Sequence, residues 1–162
     1  MANFDVAIGK TLAREGGAKY TEIKGDAGGA TKFGISQRAY PQEDIRRLTE
    51  QRAREIYKRD FWDVVQGSEF ASQLVAENIF DTAVNMGVRT ASKLAQLCAE
   101  ATPVDGVMGS ASVAAINAMS ESQFLAAYTI SKIARYAHIC NHDKTQTKFL
   151  LGWINRTLGA SA

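Results

Sequence analysis

Residues 4–35 read FDVAIGKTLAREGGAKYTEIKGDAGGATKFGI, and the change of pattern inside this stretch decides the fold. Phe4, Ile8 and Leu12 recur every fourth position, so they form one stripe of a helix running from about Asn3 to Arg14. Gly16-Gly17 ends that helix, because glycine enters the left-handed conformation of a helix end without steric cost. From Tyr20 to Ile35 the helical period disappears. A loose alternation interrupted by Gly25, Gly28, Gly29 and Gly34 reads as a short hairpin or irregular sheet.

Everything downstream is helical in pattern. Thr49 caps a helix reaching about Asp60, Ser68 starts one that stops at Gly87, and Thr90 starts another that reaches Ala101. The loop Asp105-Gly106-Val107-Met108-Gly109 leads to a short helix from Ser110 to Met119. Ser120 with Gln123 has the form of a capping box for a helix to about Ile139, and a last helix spans about Asp143 to Leu158. The fold class is therefore α+β, predominantly α-helical, with one small N-terminal hairpin or sheet. No repeat, low-complexity tract or long linker divides the 162 residues, so the chain reads as one domain.

Composition narrows the function. Hydrophobic residues make up 46% and charged residues 22%, the balance of an ordinary globular protein with a sizeable core. A net charge of +2 lacks the basic excess of a duplex-DNA binder. The run from Glu43 to Asp60 holds six basic and five acidic residues, a near balance that reads as a solvated face. From Ser122 onward five basic residues face one acid, Asp143; this suits a solvated helix face or contact with an anionic wall or membrane surface. The start, Met1-Ala2-Asn3-Phe4-Asp5, lacks the basic and apolar regions of a secretory signal, so synthesis in a cytoplasm is expected. Cys98 and Cys140 lie in apolar helical patterns and read as buried free thiols. His138 and His142, four apart, have Ile139 where a metalloprotease helix carries its glutamate, so they read as ordinary helix-end histidines; no metal and no cofactor are expected. Phe61, Trp62, Tyr136, Phe149, Leu150 and Trp153 read as core aromatics and aliphatics.

Glu15 is the residue whose position asks for a chemical reason. It follows Leu12 by three and falls on the stripe of Phe4, Ile8 and Leu12, so the apolar face ends in a carboxyl. Burial and the negative end of the helix dipole both favour its protonated form. A glutamic acid of that kind serves as a general acid near neutral pH. Glycosidic cleavage needs such an acid and a second group facing the anomeric carbon. Asp26, in the glycine-rich run, supplies a carboxylate, and the Thr31 hydroxyl a means of orienting water. Taken alone, these residues fit equally a surface acid at a helix end and ordinary turn chemistry.

Glu15-Gly16-Gly17, followed by Asp26-Ala27-Gly28-Gly29-Ala30-Thr31-Lys32-Phe33-Gly34-Ile35, closely resembles the signature of the N-acetylmuramidases of glycoside hydrolase family 108, found in phage endolysins and bacterial secretion activators. Phe80–Gly87 resembles the central helix of that family, Asp105–Gly109 the turn of its C-terminal peptidoglycan-binding part, and Phe149–Arg156 its closing F-x-x-G-W-x-x-R element. The resemblance implies a lysozyme-like fold, with a catalytic lobe at about 1–88 and a helical peptidoglycan-binding-like lobe at about 89–162. It also implies cleavage between N-acetylmuramic acid and N-acetylglucosamine, with Glu15 as the essential acid and Glu15, Asp26 and Thr31 in the order of a phage-lysozyme triad. Tyr20, Phe33 and Asn85 are the expected sugar-contacting residues; Asn85 also suits the closing of a helix end near Gly87. Ala18 and Lys19 stand between Gly17 and Tyr20 where the family has none, which lengthens the loop to Asp26 and makes Glu22 a rival second carboxylate.

The expected activity is that of a muramidase, in the role of a phage endolysin. It would act as a monomer on periplasmic peptidoglycan after release from the host cytoplasm, with contact to an anionic outer membrane through the basic C-terminal region. A lytic transglycosylase using the same glutamic acid, and a wall-binding or secretion-helper protein without turnover, are the alternatives.

Overall fold

The computed structural model describes residues 1–22 and 29–159. It has the expected α+β architecture, predominantly helical, with one small antiparallel sheet. The first helix, α1 (Phe4–Arg14), is capped by Asn3, whose side chain accepts from the Asp5 N–H. It buries Ala7, Ile8, Thr11 and Leu12, so the stripe read from the sequence is the face that packs. Beyond it come β1 (Thr31–Lys32) and β2 (Ile35–Ser36), paired Thr31 to Ser36 and Lys32 to Ile35; a single bridge joins Thr21 to Thr31.

The helix capped by Thr49, α2 (Glu50–Tyr57), runs into a wide turn over Lys58–Trp62 that pushes Trp62 fully into the core. There Trp62 meets Phe4 and Phe80 edge to face, each at 5.6 Å between centroids. Such pairs contribute about 0.5–1.5 kcal/mol each beyond the area they bury. Phe80 belongs to α3 (Gln73–Met86), the central helix, which buries Val75, Ala76, Ile79, Phe80, Thr82 and Ala83 and packs against α1 and the later helices.

Two helix starts differ from the sequence reading. Ser68 does not open α3: its hydroxyl accepts from Trp62 Nε1 at 2.9 Å within a tight turn over Gly67–Glu69, and the buried Phe70 that follows is extended. The helix begins only after Ser72, whose hydroxyl accepts from the Val75 N–H. Likewise α4 (Val88–Cys98) starts directly after Gly87 and not at Thr90. Gly87, at φ +85°, turns the chain between the two helices without a loop, which the sequence pattern alone does not require.

The rest of the chain is helical: α5 (Ser110–Ala118), α6 (Glu121–His142) and α7 (Leu150–Leu158). The long helix α6 outruns its expected end at Ile139 by three residues. The last segment divides into a tight helical stretch over Lys144–Phe149 and then α7. The turn at Asp105–Gly109 is held from inside by Gln96, whose buried side chain donates to Asp105, Val107 and Ser112 and accepts from the Gly106 N–H. Cys140 is a buried free thiol as read, whereas Cys98 is half-buried beside Ser131. Phe149 is exposed, contrary to its core reading, and covers one side of the half-buried Trp153, which stacks on the buried Tyr136 at 5.0 Å.

Candidate active site

Glu15 is the cap residue that closes α1, its N–H donating to the Thr11 carbonyl. Gly16 and Gly17 follow in the left-handed region and turn the chain back, so that Gly17 donates to the Leu12 carbonyl and accepts from the Phe33 N–H. The helix end and the hairpin are thereby fastened together. Gly34, at the tip of the hairpin with φ +75°, makes the approach possible: a Cβ there would stand 2.6 Å from Tyr57 Oη and 2.8 Å from Glu15 Cβ. Tyr57 Oη donates to the Phe33 carbonyl at 2.9 Å and fixes the far side of the same turn.

These contacts shape an open groove of about 440 Å³ lined by Glu15, Gly34, Tyr40, Tyr57, Asp60 and Phe61 among others. Apolar and aromatic walls with a few convergent polar groups are the usual make-up of a ligand site. Glu15 and Asp60 are the two carboxylates of this groove. Tyr40 Oη donates to Asp60 Oδ2 at 2.9 Å, and Arg59 grips both oxygens of Asp60. Hydrogen bonds from Arg59 hold the Asp60 carboxyl below its ordinary range, with help from Tyr40. Burial, then the neighbouring Asp60, pushes the Tyr40 hydroxyl up to about 12. Burial and the negative charge of Glu15 raise Tyr57 in the same direction. The groove thus keeps an ionised Asp60 and neutral tyrosines across the physiological range. The near balance of charge around Asp60 suggests a solvated face; the wide turn at Lys58–Trp62 instead rotates Asp60 into the groove.

Behind Glu15 lies a cluster of charges that the sequence reading did not anticipate. Arg156, near the end of α7, donates from Nη2 to Glu15 Oε1 at 3.0 Å and to Asp81 Oδ1 at 3.0 Å, and from Nε to Asp81 Oδ2 at 3.3 Å. Arg14 reaches the same Asp81 oxygen at 3.0 Å. The apolar stripe of α1 does end at Glu15, but the carboxylate meets a guanidinium and not the greasy surroundings expected for it. Asp81 and Arg156 both fall within segments singled out in the sequence. Their joint role depends on two helices distant in the chain, and no local pattern carries that.

The other expected site residues take varied positions. Asp26 lies outside the described residues. Thr31 sits in β1, with its N–H and carbonyl used in the bridge to Thr21, and is not among the residues lining the groove. Tyr20 donates to Glu22 and lies under the Arg46 guanidinium, also away from the lining. Glu22 is exposed and faces Arg46 at 3.7 Å. Phe33 is buried and serves through its backbone. Asn85 donates to Tyr136 Oη at 2.8 Å and lines a separate small cavity of about 140 Å³ with Trp153.

Comparison with known proteins bears on the family and the fold. Residues 8–87 match the family described as glycosyl hydrolase 108, and residues 85–158 match the predicted peptidoglycan domain. The chain is similar in fold to the solved structure of SagA from Brucella abortus, with a TM-score of 0.73, 24% identity, and coverage of 96% of this chain and 94% of that one. No curated protein matches the chain.

Proposed function

The chain belongs to the glycosyl hydrolase 108 family and carries a predicted peptidoglycan domain, and from that premise we propose that it is a muramidase, cutting the bond between N-acetylmuramic acid and N-acetylglucosamine with Glu15 as the general acid. The observation that carries the reading is Glu15 itself. It closes α1 at the end of that helix's buried face, lines the open groove of about 440 Å³, and among the described residues is gripped by Arg156 on Oε1. The grip on Oε1 leaves Oε2 to bring a proton to the glycosidic oxygen. When the proton has gone, Arg156 stabilises the carboxylate that remains. Asp60, kept ionised on the groove wall, supplies negative charge for the oxocarbenium-like transition state, and Asp26 and Thr31 are retained as the groups that would activate and orient water.

In the same reading the protein is a phage endolysin, a monomer that reaches periplasmic peptidoglycan after release from the host cytoplasm. Contact with an anionic outer membrane would fall to the exposed Lys144 and Lys148 of the basic C-terminal region. Mass spectrometry of peptidoglycan digested by the purified protein tests the chemistry. Reducing N-acetylmuramic acid ends are expected, whereas anhydro ends would replace the hydrolase by a transglycosylase and an undigested wall by a binding protein.

A further inference from the structure

A second cavity, of about 340 Å³, lies between α1, α3, α6 and the end of α7, and the groove reading does not use it. Four basic side chains line it, Lys10, Arg14, Lys132 and Arg156, against two carboxylates, Glu77 and Asp81. Both carboxylates are committed. Glu77 holds Lys10 at 2.6 Å, and Asp81 holds Arg14 and Arg156. Lys132 is the exception. It is 5% exposed, and among the described residues no carboxylate stands within ion-pair distance of it. Its ammonium donates to the neutral Asn78 Oδ1 at 3.3 Å and lies 5.3 Å from the Tyr128 ring centroid. A buried ammonium without a counter-charge is costly to keep, and an anion placed beside it removes the cost.

We propose that this cavity is a binding site for a small oxyanion of the phosphate class, with Lys132 as its buried counter-ion and the Thr129 and Thr157 side chains on its wall. Arg14 and Arg156 also line the cavity and, although both are paired with Asp81, add positive charge beside it. The cavity exceeds the size of phosphate, which leaves room for bridging water or for a larger group bearing the same charge. Lys132 is not among the residues lining the groove that holds Glu15, whereas Arg156 is shared between this cavity and Glu15, so Lys132 variants test the cavity separately from the muramidase reading.

Calorimetric titration with sodium phosphate, at fixed pH and with ionic strength matched by sodium chloride, tests it. One saturable site is expected in the wild-type protein, together with a thermal midpoint raised by phosphate over matched chloride. Lys132→Met, which keeps the volume and removes the charge, is expected to weaken phosphate binding at least tenfold and to abolish the midpoint difference. Should that variant fail to fold by circular dichroism, Lys132→Gln is expected to give the same loss with a polar side chain in place. Non-saturable heats in the wild type, or phosphate binding undiminished in a folded Lys132 variant, would overturn the proposal.

Discussion

Arg156 Nη2 lies 3.0 Å from Glu15 Oε1, joining two residues 141 positions apart and tying the last helix of the chain to the carboxyl that ends the first. The same guanidinium is forked onto Asp81, so its position is fixed from α3 before it touches Glu15. In this account Arg156 is a positioning residue. Arg156→Met is expected to lower turnover on purified peptidoglycan by about 10–100-fold, the scale on which small misplacement of a reacting group acts. The fold should lose roughly 1–3 kcal/mol, as for other charged hydrogen bonds, because Asp81 keeps Arg14. Arg156→Lys should recover only part of the rate, since an ammonium lacks the planar fork. Initial rates and urea unfolding check both; wild-type turnover in Arg156→Met would remove the positioning role.

Gly34 is where fold and chemistry constrain one atom. A methyl group there meets Tyr57 Oη and Glu15 Cβ at less than contact distance, in a left-handed conformation. Gly34→Ala is expected to cost about 1–2 kcal/mol for the conformation alone. Activity should fall further than stability, because the groups that must shift, Tyr57 and Glu15, both line the groove. Comparing rate loss with the change in unfolding midpoint separates the two effects; a variant that unfolds earlier yet keeps full specific activity would count against this placement of Glu15.

Asp60 and Tyr40 form the opposite wall. Asp60→Asn keeps the shape and removes the charge, so a fall in kcat/KM of at least tenfold is expected, with the helical circular dichroism signal unchanged. The sign of its pH effect follows from the lowered carboxyl: its stabilisation is present above the ordinary aspartate range and is lost as pH falls through the folded-state value. Acid unfolding of Asp60→Asn should therefore begin from a lower plateau and fall less steeply below about pH 4.

Lys132 gives a pH signature of the same sign in the alkaline range. Burial lowers it, Asp81 opposes the shift, and Arg14 and Arg156 add to it, while Lys10 and Glu77 line the same cavity as a pair. The unfolded chain then binds more protons than the folded one between the folded-state value and about 10.4. Without added oxyanion, the Lys132 contribution to stability should rise with pH across that window. Chemical denaturation of wild type and Lys132→Met at several alkaline pH values reads it as a difference that changes with pH; a constant difference would contradict the assignment.

Local signals in the sequence carry the helices and the hairpin. Thr49 and Ser120 cap the helices expected of them, the first helix starts beside Asn3 as read, and the stripe of Phe4, Ile8 and Leu12 faces the core. Two starts were misplaced for identifiable reasons: Trp62 claims the Ser68 hydroxyl, and Gly87 turns the chain so sharply that no cap is needed at Thr90. In the site, Glu15 was legible because a carboxyl on an apolar stripe is locally anomalous. Asp60 was not, because its neighbours alternate in charge like a solvated helix and only the wide turn at Lys58–Trp62 turns it inward. Arg156 belongs to the closing F-x-x-G-W-x-x-R element, but its role is not local to that element, since its partners come from α1 and α3.

The central claim is that Glu15 supplies the proton. The most direct measurement is the release of reducing ends from purified peptidoglycan by wild type and Glu15→Gln at matched concentration, with thermal midpoints recorded alongside. The account predicts that the variant releases none above background while its midpoint stays within a few degrees of wild type. Reducing ends released at the wild-type rate by the folded variant would contradict it.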